Sequence, residues 1–517
     1  GIQLLHGYYD IELSTYAKGV VLNAVPFVLL GVLALFLHIV SNHKFTGYLL
    51  IVVYLLSRIV MVALEWTHPM LIYGRAPEAT YSAMNGYGHF LIGHLWLRSY
   101  WASVALLLIL LAAAFHVRGT PGSWRERGRT ALHRLRGPLA LPTATAALLA
   151  VGIGSYVYYN VAVVNEYVSA EQQRDRAAAY EQKYRQYRED PIPRITALST
   201  EVDIEPSAQR ARIRGHYTVT NPHAEPIEYL LLGLDRDVKR FDPGPHEVEI
   251  DDPELQVRRI RLTPAMQPGE TREVPFEVLF ERRGFTADRG STLVVDNGSF
   301  FNIGVLPGFG YASRRQLTDR NERRQRGLGE PERLPKLEDI AARDQHYLTD
   351  NATWIDFRTV VSTDADQIAL APGTLQREWT KGGRRYFEYR SEGRILPFVA
   401  WLSARWEVKR VDHHGVSVEV YYDPSTPYNV DRMLQAARDS LDYFQAQFTP
   451  YQFPYLRILQ FPRYERFAQA FAGTVPFSES IGFVADLRDP EAIDFVYYVT
   501  AHEVAHQWWA HQVIGAG

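Results

Sequence analysis

The chain has 517 residues, no cysteine and a formal net charge of −3. The missing thiols exclude disulfides, iron–sulfur clusters, thiolate zinc sites and a cysteine nucleophile, and the near-neutral balance gives no reason to expect nucleic acid as a partner. A mean hydropathy of −0.19 averages two unlike parts, a strongly apolar first third and a remainder of ordinary soluble composition.

Four apolar stretches, 19–40, 46–66, 99–117 and 139–160, are each long enough for the roughly 20 residues of helix that cross a bilayer. A transmembrane region over 1–160 is therefore expected, with the lipid bilayer as its partner. Between the third and fourth stretches stand Arg118, Arg125, Arg127, Arg129, Arg134 and Arg136 against the single acid Glu126. The positive-inside rule puts that short loop, and with it residues 41–44, in the cytoplasm. Everything after about Asn160 then lies on the other side. Residues 67–98 are aromatic and carry His68, His89 and His94; they read as an interfacial segment rather than a metal site. Arg58 within the second stretch marks a pathway or a buried pair, whereas Glu65 near its end reads as snorkelling to the interface.

From 161 to 193 the chain turns polar but keeps a helical pattern, with Tyr180, Tyr184 and Tyr187 on one face and Pro191 and Pro193 ending it. The expectation is a stalk continuing the fourth span. Alternating patterns at 211–220, 271–280 and 415–422, separated by turn signals such as Asn221-Pro222 and Asn297-Gly298, predict a β-sandwich or saddle-shaped β domain over 194–422. The basic run 314–326 reads as an exposed loop. From 423 helices and strands mix: a helix over 429–448, short buried strands at 455–461 and 481–484, then a helix from Asp489-Pro490-Glu491 to about Val513, with Gly515 near its end.

That last helix carries His502-Glu503-Val504-Ala505-His506. Histidines four apart on a helix lie one turn above each other, so both imidazoles can hold one cation. Imidazole nitrogen suits Zn²⁺, and Glu503 beside the pair is placed to take a proton from an activated water. Such a pattern arises by accident in a chain of this length about one or two times in a hundred. His511 is read as a packed or hydrogen-bonded histidine, not a ligand.

The run Thr500 to Trp509 (TAHEVAHQWW) closely resembles the HExxHxW signature of the M1 family of zinc aminopeptidases, the gluzincins. That family has an upstream GxMEN segment whose glutamate binds the substrate's free amino group. The matching segment here is Pro476-Phe477-Ser478-Glu479-Ser480, with Glu479 lying 23 residues before His502 and only the glutamate carried over. The resemblance implies the start of a thermolysin-like α+β catalytic domain over 423–517. His502 and His506 would be its metal ligands, Glu503 its catalytic base, and Glu479 the receptor for a peptide with a free N-terminus. It also implies a third zinc ligand, a glutamate, beyond Gly517, so the chain is expected to be inactive alone; with Gly1 in place of an initiator Met as well, both ends are expected to be fragment boundaries. The full arrangement, with Met84 to Phe90 (MNGYGHF), looks like bacterial proteins in which an ABC-2-type permease is fused to an M1 peptidase. This implies an inner-membrane location with the peptidase on the non-cytoplasmic side. No GxxxxGK[ST] phosphate loop occurs in the chain, so an ABC ATPase, if used, is a separate subunit. The rival expectation is a transport subunit whose peptidase-like domain binds substrate without hydrolysing it.

Overall fold

The structure is a computed structural model, describing residues 2–5, 7, 9, 11–117, 123–331, 336, 338–340 and 354–514. Arg118 and Gly515, both used in the sequence reading, lie outside the described residues. The chain divides into two compact units: one of residues 1–80, 89–172 and 283–290, the other of 81–88, 173–282 and 291–517.

The first unit is helical. Among the described residues, four helices are long and apolar enough to cross a membrane: Leu13–Ser41, Lys44–Ala63, Phe90–Phe115 and Ala140–Val164. The third begins at Phe90, earlier than the expected 99, because the chain is helical through Leu95, Trp96 and Leu97 before the purely apolar run starts. The arginine-rich connection is not an open loop. Ser123 and Glu126 form a reciprocal capping box that starts the helix Trp124–Arg136. Arg127 is buried and donates to the carbonyls of Ile39, Val40 and Phe115, while Arg134 donates to those of Ala113, Ala114 and His116. Each guanidinium thus satisfies carbonyls left without intrahelical partners where long helices end.

The expected stalk is not one helix. A π-helical turn, Tyr159–Val164, closes the fourth long helix, Glu166 takes a left-handed φ of 47°, and a separate helix starts at Ala170. That helix, Ala170–Tyr184, does not stand in solvent either: Tyr180 and Tyr184 are buried with Leu231, Leu255, Val257 and Tyr311. The basic run 314–326 is likewise corrected from exposed loop to packed structure. Asp319 caps a short helix, Arg320–Gln325, and Arg323 is buried in a two-pronged ion pair with Glu181 at 2.7 and 2.8 Å.

Among the described residues, the β-rich part of the second unit has three sheets. The largest runs Thr374–Lys381, Arg384–Arg390, Asp356–Asp364, Arg194–Glu205, Arg210–Thr220, Thr271–Glu281, Val238–Phe241 in spatial order. Sheets of three and four strands complete it, and one apolar core joins them. Val274, Phe276, Val278 and Phe280 are buried on one face as their alternation requires. Gly215 lies opposite Phe276, where a Cβ would come within 2.4 Å of the Ser199 carbonyl, so no larger residue fits between these strands.

The last sheet runs Glu407–His413, Val416–Tyr422, Tyr455–Phe461, Thr474–Ser478. Val416–Tyr422 pairs parallel with Tyr455–Phe461, and the helix Val430–Gln447 makes the crossover. Two strands from the stretch expected to form the β domain, Glu407–His413 and Val416–Tyr422, lie in this sheet. Its core gathers Val418, Val420, Met433, Leu441, Ile458, Phe477, Val496 and Val504. Residues 481–484 form no strand; Glu479–Phe483 is a π-helical turn opened by Ser478, whose side chain accepts from the Ser480 amide. The motif helix is shorter than expected, Phe495–Ala505. Asp494, not Asp489, caps it by accepting from the Tyr497 amide at 2.9 Å, while Asp489 makes a local turn to Glu491.

Candidate active site

The motif helix buries Val496, Thr500, Glu503 and Val504 and turns His502 toward a cavity. Its end is fixed by the residues that follow. Gln507 donates to the Phe471 carbonyl at 3.1 Å and accepts from the Gly473 amide at 2.9 Å, locking the helix end to the hairpin that leads into Thr474–Ser478. Trp508 packs on Phe444 and Tyr451, and its Nε1 donates to the Thr449 carbonyl at 2.9 Å. The two residues beyond the second histidine therefore serve position, which the motif pattern alone did not reveal.

His502 and His506 come together as the spacing requires. Their Nε2 atoms are 3.2 Å apart and the rings are nearly perpendicular, at 87°. Two nitrogens bound at about 2.0–2.1 Å to a tetrahedral ion sit roughly 3.3 Å apart, so this pair fits Zn²⁺. His506 Nδ1 lies 3.0 Å from the Trp509 carbonyl. With the proton on Nδ1, that bond fixes the tautomer and leaves Nε2 free to ligate. His502 titrates below the ordinary histidine range, because of burial first and the neighbouring His506 second.

Glu503 is 5 % exposed, and among the described residues its Oε2 has no hydrogen-bond partner. Burial raises its carboxyl to about 7, opposed by His506 and by an amide hydrogen bond at Ala470. An unpartnered carboxylate oxygen this deep is costly unless it meets something absent from the protein itself, such as a cation or water. The cavity beside it has a volume of about 280 Å³ and is lined by Phe398, Ala470, His502, Glu503, His506 and His511 among others. His511 is buried, and its Nε2 lies 3.0 Å from the Ala470 carbonyl. This is the hydrogen-bonded role expected for it, and burial depresses its pKa to about 4. Among the described residues, no third carboxylate or imidazole clusters with the ligand atoms of His502 and His506.

Glu479 is placed differently. It opens the π-helical turn, is 2 % exposed, and is not among the residues lining the cavity. Its carboxylate accepts from the Ser82 hydroxyl at 2.5 Å (Oε2) and the Ala83 amide at 2.9 Å (Oε1). Burial raises its pKa, and these two donors oppose the rise. Residues 81–88 are built into the second unit: Asn85 and Asn297 exchange hydrogen bonds at 2.5 and 2.9 Å, Met84 is buried in the β core, and Asn297 donates to the Met84 carbonyl. Neither Ser82 nor Ala83 was singled out from sequence. The only signal was the resemblance of the MNGYGHF stretch, which does not include them.

Gly482 explains the tight turn after Glu479: a Cβ there would fall within 2.5 Å of Phe477 and Met433. Among the described residues, the ligand atoms of His68, His89 and His94 do not gather into one group.

No family model matches the chain. A leucyl aminopeptidase of Saccharolobus solfataricus is 23% identical over 159 residues, which are 30% of this chain and 20% of that protein. Among solved structures, an M1 zinc metallopeptidase from Deinococcus radiodurans aligns with a TM-score of 0.40 at 14% identity, covering 62% of this chain and 65% of that one. A variant of a two-domain M1 zinc metallopeptidase bound to L-tryptophan gives the same TM-score and identity over 62% and 66%. The alignments thus span a fifth of the curated relative and just under two thirds of these structures.

Proposed function

We propose that this chain carries the catalytic core of a membrane-anchored, zinc-dependent aminopeptidase. The observation that carries the reading is the pair of imidazole nitrogens 3.2 Å apart beside a buried carboxylate with one unpartnered oxygen, all opening on one cavity. The resemblance of the TAHEVAHQWW run to the M1 signature supports the same assignment.

His502 and His506 would hold the ion through Nε2, as two of the three protein ligands that a catalytic site requires. When bound, Zn²⁺ supplies Lewis acidity to the scissile carbonyl and to the attacking water. Glu503 takes the proton that this water loses as the C–O bond forms. It then returns that proton to the amide nitrogen as the C–N bond breaks, leaving a carboxylic acid and an amine, which exchange the remaining proton to give carboxylate and ammonium. The elevated pKa of Glu503 suits a group that must both accept and donate near neutral pH, and a cation beside it shifts the balance toward the ionised form. Glu479 is the proposed receptor for the substrate's α-ammonium. A peptide N-terminus reaching it meets a carboxylate that already accepts from Ser82 and Ala83, one bond on each oxygen, and would use the remaining lone pairs in a charge-assisted pair. The four apolar helices support membrane anchoring, and the arginines between the third and fourth support a peptidase on the non-cytoplasmic side.

The test is Glu503→Gln in the zinc-loaded full-length protein, with zinc content and cleavage of aminoacyl-arylamides measured together. Zinc is expected to stay bound and turnover to fall by about 10²-fold or more. The same four helices also favour a second reading, a transport subunit associated with a separate ABC ATPase whose peptidase-like domain only binds peptide. Zinc-loaded protein that binds peptide and cleaves none selects that reading.

A further inference from the structure

The turn between the first two strands of the last sheet carries two more ligand-type side chains, and a third faces them from the neighbouring helix. Glu407–His413 and Val416–Tyr422 are joined by two residues, His414 and Gly415, with His413 paired across from Val416. Both loop residues have left-handed backbone, with φ of 55° and 81°. Such two-residue turns ordinarily take Asn-Gly or Asp-Gly, whose first residue tolerates that conformation well. A histidine there sets two imidazoles side by side, with ring centroids 4.5 Å apart.

The strand then aims the pair at a helix. Lys409, Val411 and His413 alternate onto one face. Lys409 meets Asp431 at the start of helix Val430–Gln447 at 2.6 Å, and Val411 packs on the apolar core. His413 Nε2 meets Asp442, about three turns further along that helix, at 2.7 Å. His414 Nε2 lies 3.6 Å from the same carboxylate oxygen. One ligand atom from each of the three residues falls within 4.8 Å of the others.

We propose that His413, His414 and Asp442 form a second metal site, separate from His502 and His506, for a divalent transition ion such as Zn²⁺, Ni²⁺ or Cu²⁺. Two imidazoles and one carboxylate are donors for those ions, whereas Mg²⁺ and Ca²⁺ take oxygen ligands. The spacing agrees: tetrahedral coordination sets ligand atoms about 3.3 Å apart, between the 2.7 and 3.6 Å seen here. A structural His–Asp hydrogen bond needs only His413. The second imidazole, held on the same oxygen by a left-handed residue, has no use in that bond and an evident one in ligation. His413 is 16% exposed and His414 72%, so the site opens to solvent and leaves coordination positions for water. Bound metal would tie the hairpin to the helix that packs against the motif helix, adding stability without touching the chemistry at His502.

The experiment is equilibrium dialysis of the protein against Zn²⁺, with His414→Asn as the main variant. Asparagine suits the left-handed turn at least as well, so the fold is kept while a ligand is lost. The His502→Ala/His506→Ala protein is expected to retain one equivalent of Zn²⁺ and to melt at a higher temperature with Zn²⁺ than without. Adding His414→Asn to it should weaken that binding by about tenfold or more and abolish the thermal shift. Asp442→Asn should do the same. If the double-alanine protein binds no Zn²⁺, or if His414→Asn and Asp442→Asn leave its binding unchanged, the proposal is overturned.

Discussion

The long apolar helices of the first unit and the helices around His502 use apolar side chains in opposite ways. In Leu13–Ser41 and Lys44–Ala63 only 6% of the most apolar window is buried, and Val20, Phe27, Leu35, Val53 and Ile59 point outward. In Val430–Gln447 the apolar residues keep to one stripe, and Met433, Leu434, Ala437 and Leu441 disappear into the core. A stripe needs another protein surface to cover it, whereas an all-round apolar helix needs an apolar surrounding, which a bilayer supplies. Polar groups follow the same division. At the ends of the long helices Arg127 and Arg134 cover exposed carbonyls, while in the second unit buried charges such as Glu181 and Arg323 are paired.

The largest effect that would sharpen this contrast is Glu181→Ala. It strands the Arg323 guanidinium in the interior, and an uncompensated buried charge costs about 3–5 kcal/mol. Thermal or urea unfolding should show the loss. A free stalk, as the sequence alone suggested, would show almost none. Next is Val53→Arg, whose side chain is 51% exposed in the second long helix. If that helix spans a bilayer, membrane insertion should worsen by about 2.5–3.5 kcal/mol. Undiminished insertion in a glycosylation-mapping assay would break the membrane half of the comparison.

A smaller effect concerns His511. Its folded pKa of about 4 lies below the ordinary 6.5, so the folded state binds fewer protons between those values. Stability from this group is complete above 6.5 and lost as pH falls toward 4, by at most about 3 kcal/mol. Glu503, raised to about 7, acts oppositely in an overlapping window: the folded state holds its proton more tightly, so its contribution fades as pH rises from about 4.5 to 7. The difference between wild type and His511→Gln, in chelator, isolates the histidine. That difference should shrink on acidification, and a constant difference from pH 7 to 4 would contradict the assignment.

Where local pattern decides structure, the sequence was readable. The alternation at 271–280 and the helix at Val430–Gln447 appear within a residue or so of their expected limits, and His502, Glu503 and His506 face one cavity because helical spacing leaves them little choice. Long-range pairing was not readable. The parallel pairing of Val416–Tyr422 with Tyr455–Phe461 puts that strand in the last sheet, yet the strand itself alternates like those of the β domain. The Glu181–Arg323 pair spans 142 positions and Ser82–Glu479 spans 397, so no local pattern encodes either. The start of the motif helix was missed for a subtler reason. Asp489-Pro490-Glu491 and Asp494 are both plausible caps, and tertiary contacts chose the second, where Arg432 also holds Asp494 at 2.6 Å.

The most direct test of the central claim joins metal to turnover at Glu503. Zinc content and aminoacyl-arylamide cleavage are measured side by side for the wild-type protein, Glu503→Gln and His506→Ala. The account predicts that Glu503→Gln keeps the zinc of the first site and loses turnover, whereas His506→Ala loses both. Wild-type rates in Glu503→Gln, or full zinc content at that site in His506→Ala, would contradict it.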